Sequence, residues 1–205
     1  VVLVGWVPES RGITERDVKL IREVIRSDLV VVLPLDDRLV EPVVRFRPHG
    51  VILVDSGWDT VKPPRPVQPE VEKIEIASVV TAFKAAGVQV SLLTDPELSS
   101  LKAVARSGLD GVTIDCITYA QARSDAEAEA ALDRLTAAVM AANKLELVPS
   151  LGNGLDYRNI GPVAEMRFVE ELYVGRAVVN RALITGIRQA VADMISHIHR
   201  NRLAR

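Results

Sequence analysis

The residues best spaced for chemistry fall in one stretch, Val148 to Arg181. An apolar run from Leu145 to Leu151 ends in Gly152-Asn153-Gly154. A second, Leu172 to Val174, ends in Gly175-Arg176 and opens directly into a helical pattern. Strands that finish at glycine let a ligand approach the backbone closely. The first turn of the following helix offers unpaired N–H groups and a positive dipole end to an anion. This pattern predicts a phosphate-ester site on Gly152, Asn153, Gly154, Gly175 and Arg176. The competing reading is that the glycines serve turn geometry alone.

Acid–base candidates are few. Asp55 and Asp115 end predicted strands two apart, and paired carboxylates can divide into acid and base. A surface or helix-capping role for each is the alternative. Asn153 can orient a carbonyl or hydroxyl but cannot act as an acid. Cys116 is a nucleophile only if a neighbour lowers its pKa, and otherwise a buried structural thiol. Trp58 could stack on a ligand ring or simply cover the fold. Glu9, Arg11 and Asp95 also follow strand-like runs. Histidine is missing from all these places: His49 precedes a strand, and His197 and His199 lie in the last helix. They read as a turn residue and two solvated side chains. Nothing has metal-ligand spacing, so neither a metal nor a cofactor is expected.

These residues need a frame that brings strand ends together. Short β-branched runs near 1–5, 29–34, 50–55, 88–93, 110–115, 145–150 and 171–175 alternate with helical runs. The helical runs fall near 14–27, 37–46, 70–86, 96–107, 122–143, 159–166 and 177–200. Such alternation predicts a parallel sheet with helical crossovers. Runs such as LVVVLPL and VILVD are apolar throughout, as strands covered on both faces are. The expected fold is α/β, a TIM-type (β/α)8 barrel over a single domain, residues 1–205. Seven strands are visible where eight are needed, and a doubly wound sheet is the rival. In a barrel, the loops after the last two strands are a usual phosphate seat. Thr14 with Asp17 resembles a capping box, and Asp95-Pro96 reads as a helix start. Ser56 to Pro69 contains four prolines and must be a loop.

Composition narrows the function further. A chain of 205 residues fits one domain. A net charge of −2 gives no pull toward nucleic acid or anionic membrane, and neither is expected as a partner. One cysteine excludes an intrachain disulfide and suits a reducing, cytoplasmic compartment. No apolar run is long enough to span a bilayer as a helix. The last helical run carries more apolar residues than one narrow stripe needs. It could bury a second face on another subunit, or simply pack on the barrel.

The segments LGNGLDYRN and EELYVGRAVVNRAL, with GITERDVKLIREVI and VQVSLLTDP upstream, resemble the pyridoxine 5'-phosphate synthase family in colinear order. The resemblance covers essentially all 205 residues. It implies a (β/α)8 barrel whose first strand and helix would precede Val1, a homo-oligomer, a phosphorylated small-molecule ligand and a place in vitamin B6 biosynthesis. It also implies a loop at Ser56 to Pro69 that closes over substrate, although prolines would stiffen it here. That family closes a pyridine ring from an amino-ketone phosphate and deoxyxylulose phosphate, using histidine and glutamate. Its catalytic histidine falls on Gly5, and the arginine and histidine of its substrate loop fall on Val7 and Gly12. Its two glutamates fall on Val32 and Thr113. The histidine between its glycines falls on Asn153, and the one after its last strand on Arg176. Its phosphate-contacting threonine falls near Lys62, while Gly154 and Gly175 match outright. The resemblance therefore adds Lys62 to the predicted anion site. Valine and glycine transfer no protons, so the parent catalysis is expected to be lost or changed. A phosphometabolite-binding or oligomer-scaffolding paralogue without catalysis is the alternative.

Overall fold

A computed structural model describes residues 1–8 and 12–203, so Glu9 and Arg11 lie outside the described residues. The β-branched runs form β1 (Val2–Gly5), β2 (Leu29–Pro34), β3 (Gly50–Val54), β4 (Gln89–Thr94), β5 (Gly111–Asp115), β6 (Val148–Gly152) and β7 (Glu171–Tyr173). The helices are α1 (Glu15–Val24), α2 (Val40–Val44), α3 (Lys73–Ala85), α4 (Leu98–Arg106), α5 (Ile117–Ala120), α6 (Asp125–Lys144), α7 (Ile160–Ala164), α8 (Arg176–Thr185) and α9 (Ile187–Leu203).

The strands stand in the order β1 to β7, each parallel to the next. A doubly wound sheet would reverse that order at a switch point, and this one does not. The sheet also curls. Tyr173 on β7 packs with a cluster formed by Val30 and Val32 of β2, Ile52 and Val54 of β3, and Leu93 of β4. A flat sheet would hold these strands far apart. The architecture is a TIM-type barrel of seven strands, and among the described residues β1 and β7 are its open edges.

Alternation sorts the side chains into two cores. Leu29, Val31, Leu33, Val51, Leu53, Val90 and Leu92 face the helices and join the larger cluster. Val30, Val32, Ile52, Val54 and Leu93 face the lumen. Both sets are apolar, which is why the sequence shows no polar alternation.

Helix α1 starts as its sequence predicts. The Asp17 backbone N–H donates to Thr14 Oγ1 at 3.3 Å, and the Thr14 backbone N–H donates to Asp17 Oδ2 at 2.9 Å. Three of the differences from expectation have a local cause. The run 177–200 is two helices, because Gly186 adopts φ 79° and closes α8 with its N–H on Ala182 O. Strand β6 lies later than 145–150, because Glu146 takes φ 61° and ends the preceding helix region. Pro96 lies outside α4, whose N-cap is Glu97; the Asp95 carboxylate instead accepts the Glu97 N–H. Among the described residues no helix is long and apolar enough to cross a membrane.

Candidate functional site at the barrel mouth

The C-terminal strand ends gather most of the predicted site residues at one mouth. Asp115 ends β5 and is buried to 7% exposure. Asn153 follows β6 with φ 71°, a left-handed conformation that asparagine tolerates better than most residues. That turn aims its amide nitrogen at two acceptors. One is Asp115 Oδ1 at 2.7 Å, the other the Pro64 carbonyl at 3.0 Å. Burial pushes the Asp115 carboxyl up to about 6, against the opposing hydrogen bonds from Asn153 and the Ile117 N–H. The carboxylate that adds to this rise is Asp95, not Asp55.

Asp55 is committed elsewhere. Its Oδ1 accepts from Arg65 Nη2 at 3.0 Å and from the Gly57 N–H at 3.1 Å, and its own N–H donates to Arg65 O at 3.1 Å. The proline-rich loop is thus folded back on the mouth rather than extended from it. Val67 N–H donates to Leu93 O at 2.9 Å, and the Trp58 indole donates to Lys62 O at 2.8 Å. Lys62 itself is exposed on this loop.

The glycines divide by environment. A Cβ on Gly154, at φ 85°, would lie 2.6 Å from Ala120 Cβ, so packing against α5 requires glycine there. A Cβ on Gly152 would lie 3.1 Å from Tyr173 Cβ. A Cβ on Gly175 would meet no atom within 4 Å. Gly175 is the N-cap of α8 and supplies no side-chain cap, and Arg176 beside it is exposed.

Cys116 is fully buried, and burial together with the Asp115 charge pushes its thiol up to about 12. A thiol so held is not a nucleophile. His49 pairs loosely with Asp28 at 3.6 Å on the opposite face of the barrel. His197 departs from a solvated reading: it lies edge-on to Tyr157, 5.9 Å between ring centres, and is half-buried. Among the described residues no group of three His, Cys, Asp or Glu side chains could hold a metal.

Three participants, Arg65, Tyr173 and Ser91, are not among the candidates the sequence offers. Arg65 lies between prolines, where only the fold-back reveals its carboxylate partner. Tyr173 donates to Glu171 within the lumen, and burial and that carboxylate raise its pKa. Ser91 and Thr113 share a hydrogen bond at 3.0 Å across β4 and β5. Their i, i+2 alternation with apolar neighbours was a signal that could have placed them inside.

Comparison with known proteins adds ancestry to this geometry. A family model described as "Pyridoxal phosphate biosynthesis protein PdxJ" matches residues 1–200. A pyridoxine 5'-phosphate synthase of Syntrophotalea carbinolica is 33% identical over 186 residues, 91% of this chain and 78% of that protein. One of Synechococcus sp. (strain CC9605) is 32% identical over 195 residues, 95% of this chain and 78% of that protein. Among solved structures, a mandelate oxidase with 3,3-difluoro-2-hydroxy-3-phenylpropionic acid aligns with TM-score 0.62 at 13% identity, over 91% of this chain and 61% of its own. The tryptophan synthase A-subunit of Pyrococcus furiosus aligns with TM-score 0.59 at 14% identity, over 93% of this chain and 72% of its own. The chain thus spans less than two thirds of the oxidase, and at such identity these two likenesses concern the fold alone.

Proposed function

Because the chain belongs to the PdxJ family of pyridoxal phosphate biosynthesis proteins, we propose that it holds a phosphate ester where β6 and β7 end and no longer performs the family's ring closure. Descent puts it among proteins of vitamin B6 biosynthesis. The observation that carries the binding half is the start of α8. Gly175 offers an uncapped helix N-terminus beside open space, and Arg176, exposed, is the first residue of the helix. A phosphate there would meet backbone N–H groups and a bidentate cation together. Lys62, exposed on the loop whose Pro64 carbonyl Asn153 binds, is the second cation this reading assigns.

The catalytic half rests on what fills the lumen. The positions aligned with the family's acids and bases carry Gly5, Val32 and Thr113. Val32 lies in the apolar interior cluster, and the Thr113 hydroxyl is bonded to Ser91. General acid–base help is worth about 10²–10⁴-fold per group, so losing several removes the reaction for practical purposes. The only carboxyl of the mouth with a pKa raised toward neutrality is Asp115, among the described residues. Its hydrogen bond to Asn153 orients it without supplying a second proton carrier. The test is direct: the protein is incubated with the amino-ketone phosphate and deoxyxylulose phosphate, and pyridoxine phosphate is measured. No product above a buffer control is expected; turnover at the rate of an active synthase would overturn this half.

A scaffolding reading has its own support. Val179, Leu183 and Ile184 of α8 and Ile187, Val191 and Ile195 of α9 are exposed apolar side chains, between 40% and 89% accessible. Exposed apolar side chains gathered on two successive helices are what a contact site presents. A homo-oligomer formed through these helices is the assembly this reading expects.

A further inference from the structure

Gly5 ends β1 on the lumen side, and the Trp58 indole lies directly over it. A Cβ on Gly5 would sit 2.6 Å from Trp58 Cη2 and 3.4 Å from Cζ2. Even alanine at position 5 would therefore force the ring to shift. The same indole, with Tyr173, packs on the lumen cluster of Val30, Val32, Ile52, Val54 and Leu93. Its Nε1–H is satisfied by Lys62 O at 2.8 Å, and its backbone N–H donates to Asp55 O at 3.1 Å. The ring is thus fixed by packing on one side and by hydrogen bonds on the other.

The loop that carries it is anchored along its length. Asp55 holds Arg65, Asn153 holds the Pro64 carbonyl, and Leu93 holds Val67. Prolines reduce the conformational freedom the loop must lose to stay there. A planar aromatic side chain so placed has the shape and the surroundings of a bound ring.

We propose that Trp58 is a resident plug, an aromatic ring from the chain itself that fills the lumen mouth and, seated on Gly5, keeps a ligand's ring out. The Gly5–Trp58 pair then sets specificity. Phosphate-bearing ligands reach the rim at Gly175 and Arg176, and planar rings do not reach the lumen. This deepens the proposed rim site and rests on the same reading of the mouth. Removing the indole opens an apolar pocket floored by valine, isoleucine and leucine, and such pockets take small aromatic molecules.

The experiment pairs Trp58→Gly with the parent protein and uses indole, a ring without phosphate, as the probe. Trp58→Gly should bind indole saturably and gain thermal stability with rising indole, while the parent should do neither. Indole binding by both proteins, or by neither, would overturn the plug. A second measurement does not depend on that variant folding. In a Trp6→Phe background Trp58 is the sole tryptophan. Adding Gly5→Ala should shift its emission to the red and raise quenching by acrylamide; unchanged emission would overturn the plug. Glycerol phosphate is titrated alongside. If the parent binds it and Trp58→Gly gains no indole, the plug fails and the rim site stands. If the parent does not bind it and Trp58→Gly gains indole, the rim site fails and the plug stands.

Discussion

The Asn153 amide nitrogen lies 2.7 Å from Asp115 Oδ1 and 3.0 Å from the Pro64 carbonyl, so one side chain ties β5, β6 and the proline-rich loop together. The two acceptors share a single amide group. Its loss should therefore be felt on both sides at once.

Asn153→Gly removes the amide while keeping the φ 71° backbone unstrained. We expect the Asp115 pKa to rise further, since the Asn153 bond holds it down. Amide exchange at Arg65 and Val67 should quicken as the loop loses an anchor. Stability should fall by about 1–2 kcal/mol, the worth of one or two partly buried hydrogen bonds. Carboxyl chemical shifts and hydrogen exchange in one protein check both arms; a change in only one would break the link.

Asp115 gives a pH signature. Its folded pKa of about 6 lies above the ordinary 3.8, so the folded chain holds that proton more tightly than the unfolded chain. The stabilisation this proton linkage gives is present below about pH 4 and is lost as pH rises through about 6. Asp115→Asn should match the parent near pH 4 and exceed it at pH 8 by on the order of 2 kcal/mol. Urea denaturation of both proteins at the two pH values measures the difference. An equal gap at both would mean that burial does not shift this carboxyl.

The glycines should separate by substitution. Gly154→Ala meets Ala120 at 2.6 Å in a left-handed backbone, and should cost about 2–3 kcal/mol. Gly175→Ala meets nothing within 4 Å, and only its backbone angles, φ −112° and ψ −84°, disfavour a side chain, so the free protein should lose about 1 kcal/mol, less than Gly154→Ala loses. Denaturation midpoints check this. Equal losses would mean that Gly175 is packed like Gly154.

Much of the frame was legible because both faces of each strand are covered. Runs such as VVVL and VILV carry that fact in their composition, and the Thr14–Asp17 cap was readable from spacing. The double helix at the end was not. Gly186 looks like any glycine in a helical run until its positive φ is seen. The site was legible only in part. Asn153 and Asp115 were picked out separately, each from its strand end, but their contact depends on how β5 and β6 register. Asp55 looked like a partner for Asp115 across the mouth, and Arg65 claims it because the loop doubles back. Arg65 and Tyr173 carry no local pattern that announces such roles.

The account stands or falls on the anion seat at the start of α8. A phosphorus NMR titration with glycerol phosphate, run on the parent protein and on Arg176→Ala, tests it most directly. The account predicts saturable binding by the parent and about tenfold weaker binding by the variant, as expected for losing one charge-assisted contact. Equal affinity in the two proteins, or no binding by the parent, would contradict it.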